Sequence, residues 1–484
     1  MNDSTMKSDP DPESIAPAPS NVGEVIQDKT IQHDAVFGTI TTKGPNYRNV
    51  GWIGTLALMM KTQIGLGVLS MPVVFDTFGL IPGIIVLVVV AAVTTWSDYI
   101  VGTFKLRHRH VYGIDDAGRM LFGKIGYEVF GAMYTLYFTF VSGSAMLGTS
   151  VALNALSTHG ACTAVFVAVA AIAVFCLSSI QTLGRMSWVA WLGACCIIVS
   201  GKLHRNLVGN ASNLARSTVF VITIAVGLQD RPSAAPPGPG PWKSDYKLAN
   251  NPSFTDAISA VSTLIFTYAG TPAFFNIVAE MRDPRLYNRA LYTCQITVTV
   301  VYIVVATVVY YYCGSYVSSP ALGSAGPLMK KVGYGIALPG LLGSGVLLAH
   351  LPAKHVFVRV LRGSKHLTTN TAIHWVTWFG STFSVTLVAY LVASGIPVFS
   401  GLVSLIGALF ASSLTLQPYG CMWLYDHWQD SRTARWHCMV AWCAFIILAG
   451  TFITVAGTYG SIVAIVQSPD RSRPWSCADN SNST

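Results

Sequence analysis

From Val50 to Val466 the chain presents one apolar run after another, each of roughly 20 residues. Coiled as a helix, a run of that length crosses a hydrocarbon core about 30 Å thick. Lipid offers no partner to backbone N–H and C=O groups, so only helices or a closed barrel can span it, and continuous runs this long fit helices. They lie near Val50–Thr77, Leu80–Phe104, Gly126–Leu156, Ala161–Ile180, Phe254–Ala279, Leu291–Cys313, Lys331–Val358, Ala372–Val392, Pro397–Met422 and Trp436–Val466. Charged residues make up 11% of the chain, against about 25% in a soluble domain. The expected fold is all-α, a polytopic membrane protein.

A further span is split. Trp188–Ser200 and Ser217–Leu228 are apolar but each too short to cross alone, and between them stands the polar, basic Gly201–Arg216. Removing it fuses the halves into one ordinary fifth span, giving about eleven transmembrane helices. Gly201-Lys202 can be encoded by GGTAAG, which contains a splice-donor consensus, so we read residues 201–216 as an unspliced-intron insertion. A re-entrant or extramembrane excursion is the alternative. Residues 1–49 are polar and read as a disordered cytosolic tail, residues 50–466 as the membrane domain and 467–484 as a polar C-terminal tail. No cleavable leader opens the sequence, so the first span would direct insertion.

Lysine and arginine concentrate in alternate short loops, which puts the N-terminus in the cytosol and, with an odd number of spans, the C-terminus outside. The net charge of +9 is spread over those loops, so it is not a nucleic-acid footprint. Most of the ten cysteines fall inside spans, where cysteine packs as a small apolar residue. Cys162 and Cys313 both belong near the outer face, which leaves a disulfide open beside free thiols.

Two spans contain residues that do not suit lipid. Lys61–Pro72 reads KTQIGLGVLSMP, and Lys61 through Gly67 stand about 16–26 Å along their helix, near mid-core. Gly65 and Gly67 weaken the helix, and Pro72 lacks an N–H. Taken alone, a glycine-notched packing face explains the stretch equally well. The second interruption, Tyr268-Ala269-Gly270-Thr271-Pro272, lies at a similar depth. Paired breaks in corresponding positions of two halves mark a transporter's binding site. An integral-membrane enzyme would need convergent nucleophile, base or metal-ligand groups. A receptor needs no paired breaks, and a channel filter would show a ring of like charges.

IGLGVLSMP in the first span and YAGTPAFFNIVAEMRDP (Tyr268–Pro284) in the sixth resemble the amino acid/auxin permease family, most closely its fungal neutral amino acid permeases of the methyltryptophan-resistance type. LQDRPSAAP after the fifth span and LPAKHVFVRVLRGS (Leu351–Ser364) look like the same group, and the similarity covers about Asp34 to Ser468. That family belongs to the amino acid–polyamine–organocation superfamily. The resemblance implies five-plus-five inverted repeats with an eleventh helix added, and discontinuous helices 1 and 6. It implies secondary active transport of neutral aliphatic or aromatic amino acids, and a proton is the expected coupling ion, with no other cofactor or metal expected. The expected location is the plasma membrane in preference to the vacuole. A vacuolar or metabolite-exporting carrier is the alternative, and the sequence is silent on oligomeric state.

Half-helix N-termini concentrate unpaired N–H groups and positive charge, which suits a carboxylate. Gly65, Leu66 and Gly67 are therefore assigned to the substrate carboxylate, and the carbonyls around Tyr268, Ala269 and Gly270, with Thr271, to its ammonium. Tyr134 and Tyr137, one turn apart in the third span, are candidates to floor the pocket, with interior packing as the alternative. Phe266, Phe274 and Phe275 are candidates for pocket walls or core. Lys61 is costly at mid-core, by about 2.5–3.5 kcal/mol on insertion scales. The resemblance sets the first and eighth spans side by side, so Lys61 and His350 are expected to pair there as the proton-coupling site. A structural lysine is the alternative. Glu280 with Arg282 reads as a cytosolic gate, Asp98 as interfacial, and His108 and His110 as a basic loop feature.

Overall fold

The structure is a computed structural model that describes residues 31–34, 38–41, 50–64, 66–181, 231–236, 242–367, 369–468 and 473–481. The expected fifth span, the 201–216 segment and Gly65 lie outside the described residues. The first span divides into α1 (Trp52–Gln63) and α2 (Leu66–Phe78), and α3 (Leu80–Arg107), α4 (Ile114–Ser157) and α5 (Thr163–Ser178) follow. The sixth span divides into α6 (Phe254–Tyr268) and α7 (Thr271–Ala279). Beyond it come α8 (Tyr287–Cys313), α9 (Pro327–Leu361) and α10 (Ala372–Gly395). The tenth span is built from α11 (Phe399–Ile406), a π-turn at Gly407–Ala411, α12 (Ser412–Thr415) and α13 (Gln417–His427), and α14 (Ala434–Gln467) is the last. Among the described residues eight segments are long and apolar enough to cross a membrane, nine if the bent α1–α2 pair counts as one, and α5 is shorter.

Within the expected N-terminal tail, β1 (Ile31–Asp34) and β2 (Gly38–Thr41) pair antiparallel, with Ile31 opposite Thr41 and Asp34 opposite Gly38. The β-branched Ile31, Thr39, Ile40 and Thr41 suit strands, a local signal that the polar composition of the tail masks.

The helices pack in two groups. α4 runs along α9 and α10 with α5 beside it, while α2 packs on α6 and α8, and α3 on α8 and α7. Both interrupted spans thus sit in one group, and they meet the other group across α4 and α9. Gly123, at φ 65° and ψ −148°, turns α4 before the span, so Ile114–Phe122 forms a separate arm. Glycine adopts that φ without steric cost. This arm lies in the basic loop between Lys105 and Lys124. α3 and α14 show lipid their outward rows, including Ile85 and Val89 on α3 and Leu448 and Val455 on α14.

The disulfide joins different cysteines from the pair the sequence left open. Cys162, at the start of α5, is bonded to Cys477, and Cys313 is a buried thiol at the end of α8. The reason lies in the C-terminal tail, which folds back over the bundle. Trp475 N donates to Ser394 O at 3.1 Å, Thr163 Oγ1 to Ala478 O at 2.7 Å, and Asn154 Nδ2 to Asn480 Oδ1 at 2.7 Å. A structural disulfide belongs to an oxidising compartment. The α4–α5 turn and the C-terminal tail therefore share one end of the bundle.

Candidate functional site

Both interruptions are present. α1 ends at Ile64, whose backbone is extended (φ −75°, ψ 106°), and the axis of the span bends by 47° there. The sixth span is interrupted more gently, at Ala269 (φ −79°, ψ 43°) and Gly270, with Pro272 in the first turn of α7. Its backbone closes short turns, Ala269 N to Phe266 O at 3.2 Å and Gly270 N to Tyr268 O at 2.8 Å. Gly67 permits the contact between breaks: a Cβ on it would stand 2.8 Å from the Tyr302 hydroxyl and 2.9 Å from Thr267 Cβ.

Between the breaks lies a cavity whose lining includes Lys61, Gln63, Gly67, Tyr137, Phe266 and Ser344. Its volume is about 10 Å³, room for a single water, so this conformation is closed around the site. The carbonyls assigned to a substrate ammonium already have donors. Tyr137 OH donates to Ala269 O at 2.7 Å, and Gln63 Nε2 to Tyr268 O at 3.5 Å. An ammonium reaching those carbonyls has to displace both side chains. Leu66 and Gly67 begin α2, so two of the three residues expected to meet a carboxylate stand at a helix N-terminus, and Gly67 lines this cavity.

Other expected residues fall elsewhere. Tyr134 is buried on the cytosolic side of Tyr137, donating to Asn276 Oδ1 at 3.3 Å and packing on His355. Phe274 and Phe275 are buried in α7, and Phe275 stacks on Tyr419. Thr271 turns away from the cavity toward Asp98. The expected Lys61–His350 pair is not formed. Lys61 Nζ donates to Gly340 O at 2.8 Å, whereas His350 faces α5, its Nδ1 3.3 Å from Ser178 O. Gly340 and His350 are ten residues apart on α9, which separates them by about 15 Å along the helix.

The expected gate residue Glu280 also has a different partner. Glu280 is paired with Lys354 of α9 at 2.5 Å, both side chains almost wholly buried. The backbone of Arg282 instead closes a parallel bridge, Arg282 N to Val50 O at 2.9 Å and Val50 N to Glu280 O at 3.2 Å. The start of the first span is thereby pinned to the end of the sixth. Around this pair lie Asp115 with His355 at 3.8 Å and Asp116 with Arg362 at 2.8 Å, both joining the α4 arm to α9 or its end. On the opposite side of the cavity, a cleft of about 190 Å³ between α2, α6 and α11 is lined by Ser70, Thr77, Asp256, Thr263 and Ser404.

Three residues escaped the sequence reading. Lys354 sits within the apolar eighth run, the signal that flagged Lys61, but its place near the inner end let it pass as a loop charge. Tyr302 has no sequence signal beyond being an aromatic in a span. Asp98, expected at the interface, is fully buried at 0% exposure. His108 fits its expected role in a basic loop, at 2.7 Å from Asp426.

The chain matches the family model "Transmembrane amino acid transporter protein" over residues 48–463. It is 30% identical over 443 residues to a protein named "Transmembrane transporter" from Gibberella moniliformis (strain M3125 / FGSC 7600), covering 90% of this chain and 89% of the relative. It is 28% identical over 492 residues to the "N amino acid transport system protein" of Neurospora crassa, covering 97% of each. In fold it is similar to MhsT in complex with L-phenylalanine (TM-score 0.51, 11% identity, covering 86% of this chain and 98% of that one). It is also similar to a substrate-bound, outward-open Na+-coupled sialic acid symporter (TM-score 0.51, 13% identity, 88% and 91% covered). The match along nearly the whole membrane domain shows that this chain belongs to the transmembrane amino acid transporter family, and that it is a membrane carrier rather than an enzyme.

Proposed function

We propose that this chain is a symporter that carries neutral aliphatic or aromatic amino acids together with a proton by alternating access. The observation that carries this reading is the meeting of the two interrupted helices at one cavity. The N-terminus of α2 can meet a carboxylate, and the carbonyls at Tyr268 and Ala269 can meet an ammonium once the Gln63 and Tyr137 side chains move off them. Phe138, Val141, Phe266 and Leu348 give that cavity an apolar wall, which suits an uncharged side chain. The Glu280–Lys354 pair and the Val50–Met281 bridge seal the cytosolic side, so substrate approaches by the outer cleft between α2 and α6. The name of the Neurospora crassa relative and the L-phenylalanine bound in the similar structure agree with an amino acid cargo.

We place the carrier in the plasma membrane, where the outer cleft faces the medium and an inward proton gradient can drive uptake. The test is radiolabelled amino acid uptake in a permease-deficient yeast across a pH series, with competing amino acids. Neutral amino acids should accumulate and compete, and a protonophore should collapse the gradient of substrate. Competition confined to charged amino acids, or accumulation indifferent to the protonophore, would overturn the reading.

A further inference from the structure

Asp98 lies in α3, buried at 0% exposure, and no part of it lines the cavity between the breaks. Gln295 Nε2 of α8 donates to its Oδ2. Its Oδ1 has no hydrogen-bond partner. Two other buried oxygens near it share that condition: Thr271 Oγ1, which faces the carboxylate without closing a hydrogen bond, and Gln295 Oε1. Thr271 is the first residue of α7, immediately past the break in the sixth span.

No cation balances this acid among the described residues. The titratable groups that feel its charge are Tyr287 and Cys294 on α8 and Tyr419 on α13. Tyr287 OH is bound to the Asp98 backbone carbonyl at 2.9 Å. On α7 the charged residue is Glu280 at its far end, held by Lys354, and on α3 itself Lys105 is bonded to the carbonyls of Arg109 and Val111. α6 and α2 bring Tyr268 and Asp76, the first hydrogen-bonded to Thr299 and the second at the outer end of α2. An ionised carboxylate in a dry interior without a counter-charge is strongly disfavoured, so it takes up a proton or a cation. A proton on Oδ1 also lets that oxygen donate one hydrogen bond, which the facing Thr271 hydroxyl can accept.

We propose that Asp98 is the proton-binding site of the transport cycle, coupled to substrate through α7. This inference rests on the proton-symport reading and names its site. In the step, H+ from outside water bonds to Oδ1, turning COO− into COOH, and the same proton leaves to the cytosol later in the cycle. An ionised Asp98 attracts the positive N-terminus of α7, while the neutral acid does not. Protonation thus shifts the balance between two positions of the half-helix whose break borders the substrate cavity.

The test uses the full-length carrier in proteoliposomes, with an amino acid that wild type takes up. Two activities are read: accumulation driven by a one-unit pH gradient, and counterflow at equal pH. One proton per substrate gives about tenfold accumulation under that gradient. Asp98→Asn should lose the accumulation while counterflow persists, and Asp98→Glu should recover part of it. Substrate-induced proton entry, followed with a trapped pH dye, should vanish in Asp98→Asn. Proton-driven accumulation equal to wild type in Asp98→Asn overturns the proposal. So does loss of both activities in Asp98→Asn and Asp98→Glu with melting temperatures unchanged, which assigns Asp98 a part in the movement that both transport modes share. Accumulation driven by sodium and abolished in Asp98→Asn also overturns it, leaving a metal-cation site. A wild type indifferent to pH gradients, with counterflow intact, overturns the symport reading itself and is told apart by needing no variant.

Discussion

The Tyr302 hydroxyl lies 2.9 Å from Gln63 O and 3.1 Å from Thr267 O, so one phenol of α8 ties together the loose ends of both interrupted helices. Those carbonyls are ones that a continuous helix would have satisfied internally. Removing the hydroxyl leaves buried acceptors unpaired, at about 1–3 kcal/mol. Tyr302→Phe should lower the melting temperature and reduce uptake. A variant with wild-type stability and uptake would show that the tie carries nothing.

Gly67 faces the same hydroxyl. Gly67→Ala pushes a methyl group against Tyr302 and Thr267, an overpacking that costs about 1–3 kcal/mol. Uptake should fall sharply at near-normal surface abundance. Gly67→Ala combined with Tyr302→Phe should recover part of it, because the shortest contact is gone.

The buried Glu280–Lys354 pair should behave as a unit. Breaking such a pair from one side costs about 3–5 kcal/mol, because the remaining charge stays buried. Glu280→Gln and Lys354→Met should each expose the cavity to a cytosolic thiol reagent at a cysteine placed beside Tyr137. The reversed pair, Glu280→Lys with Lys354→Glu, should restore protection. Equal labelling in all four proteins would remove the gate assignment.

Lys61 joins α1 to α9 through Gly340 O and stands apart from His350. If Asp98 binds the proton, Lys61→Met should lower uptake at every external pH by a similar factor and leave the shape of the pH profile unchanged. A flattened profile in Lys61→Met, with Asp98 intact, would return the coupling role to the lysine.

In the outer loop, Asp245 accepts from the backbone N–H and the hydroxyl of Ser315. Partial burial acts to raise its carboxyl, and the Ser315 bonds outweigh that and hold it below the ordinary value of 3.8. A depressed acid contributes stability above its unfolded value and loses it as pH falls through the folded one. Acidifying the outer face below 3.8 should therefore make residues 242–250 more open to an acid protease. In Asp245→Asn that step in sensitivity should be absent.

The spans were legible because lipid imposes a length and an apolar composition that almost nothing else in a chain produces. The breaks were legible because Lys61, Gln63 and the glycines do not suit lipid, and the same reasoning marked Tyr268–Thr271, where the structure interrupts the sixth span. Pairing was not legible. Lys61 and His350 are both polar residues in spans that touch, yet Lys61 reaches α9 at Gly340, about 15 Å along the helix from His350, and which levels meet is set by packing along both helices. Glu280 was recognised, but its partner lay seventy-four residues away on another helix rather than in the adjacent basic cluster. Asp98 was misjudged because distance from the end of a run measures depth in the membrane, whereas its burial comes from α7, α8 and α13 closing over it.

The segment Arg473–Ser481 is fastened to the turn between α4 and α5. A fluorescent protein or affinity tag fused at the C-terminus would add bulk next to a segment tied to the ends of α4, α5 and α10. A host that translates the protein into a membrane whose trans face is reducing would leave the tie undone. Tags for purification belong on the N-terminal side, and a secretory route with thiol oxidation is the setting in which this carrier should be produced.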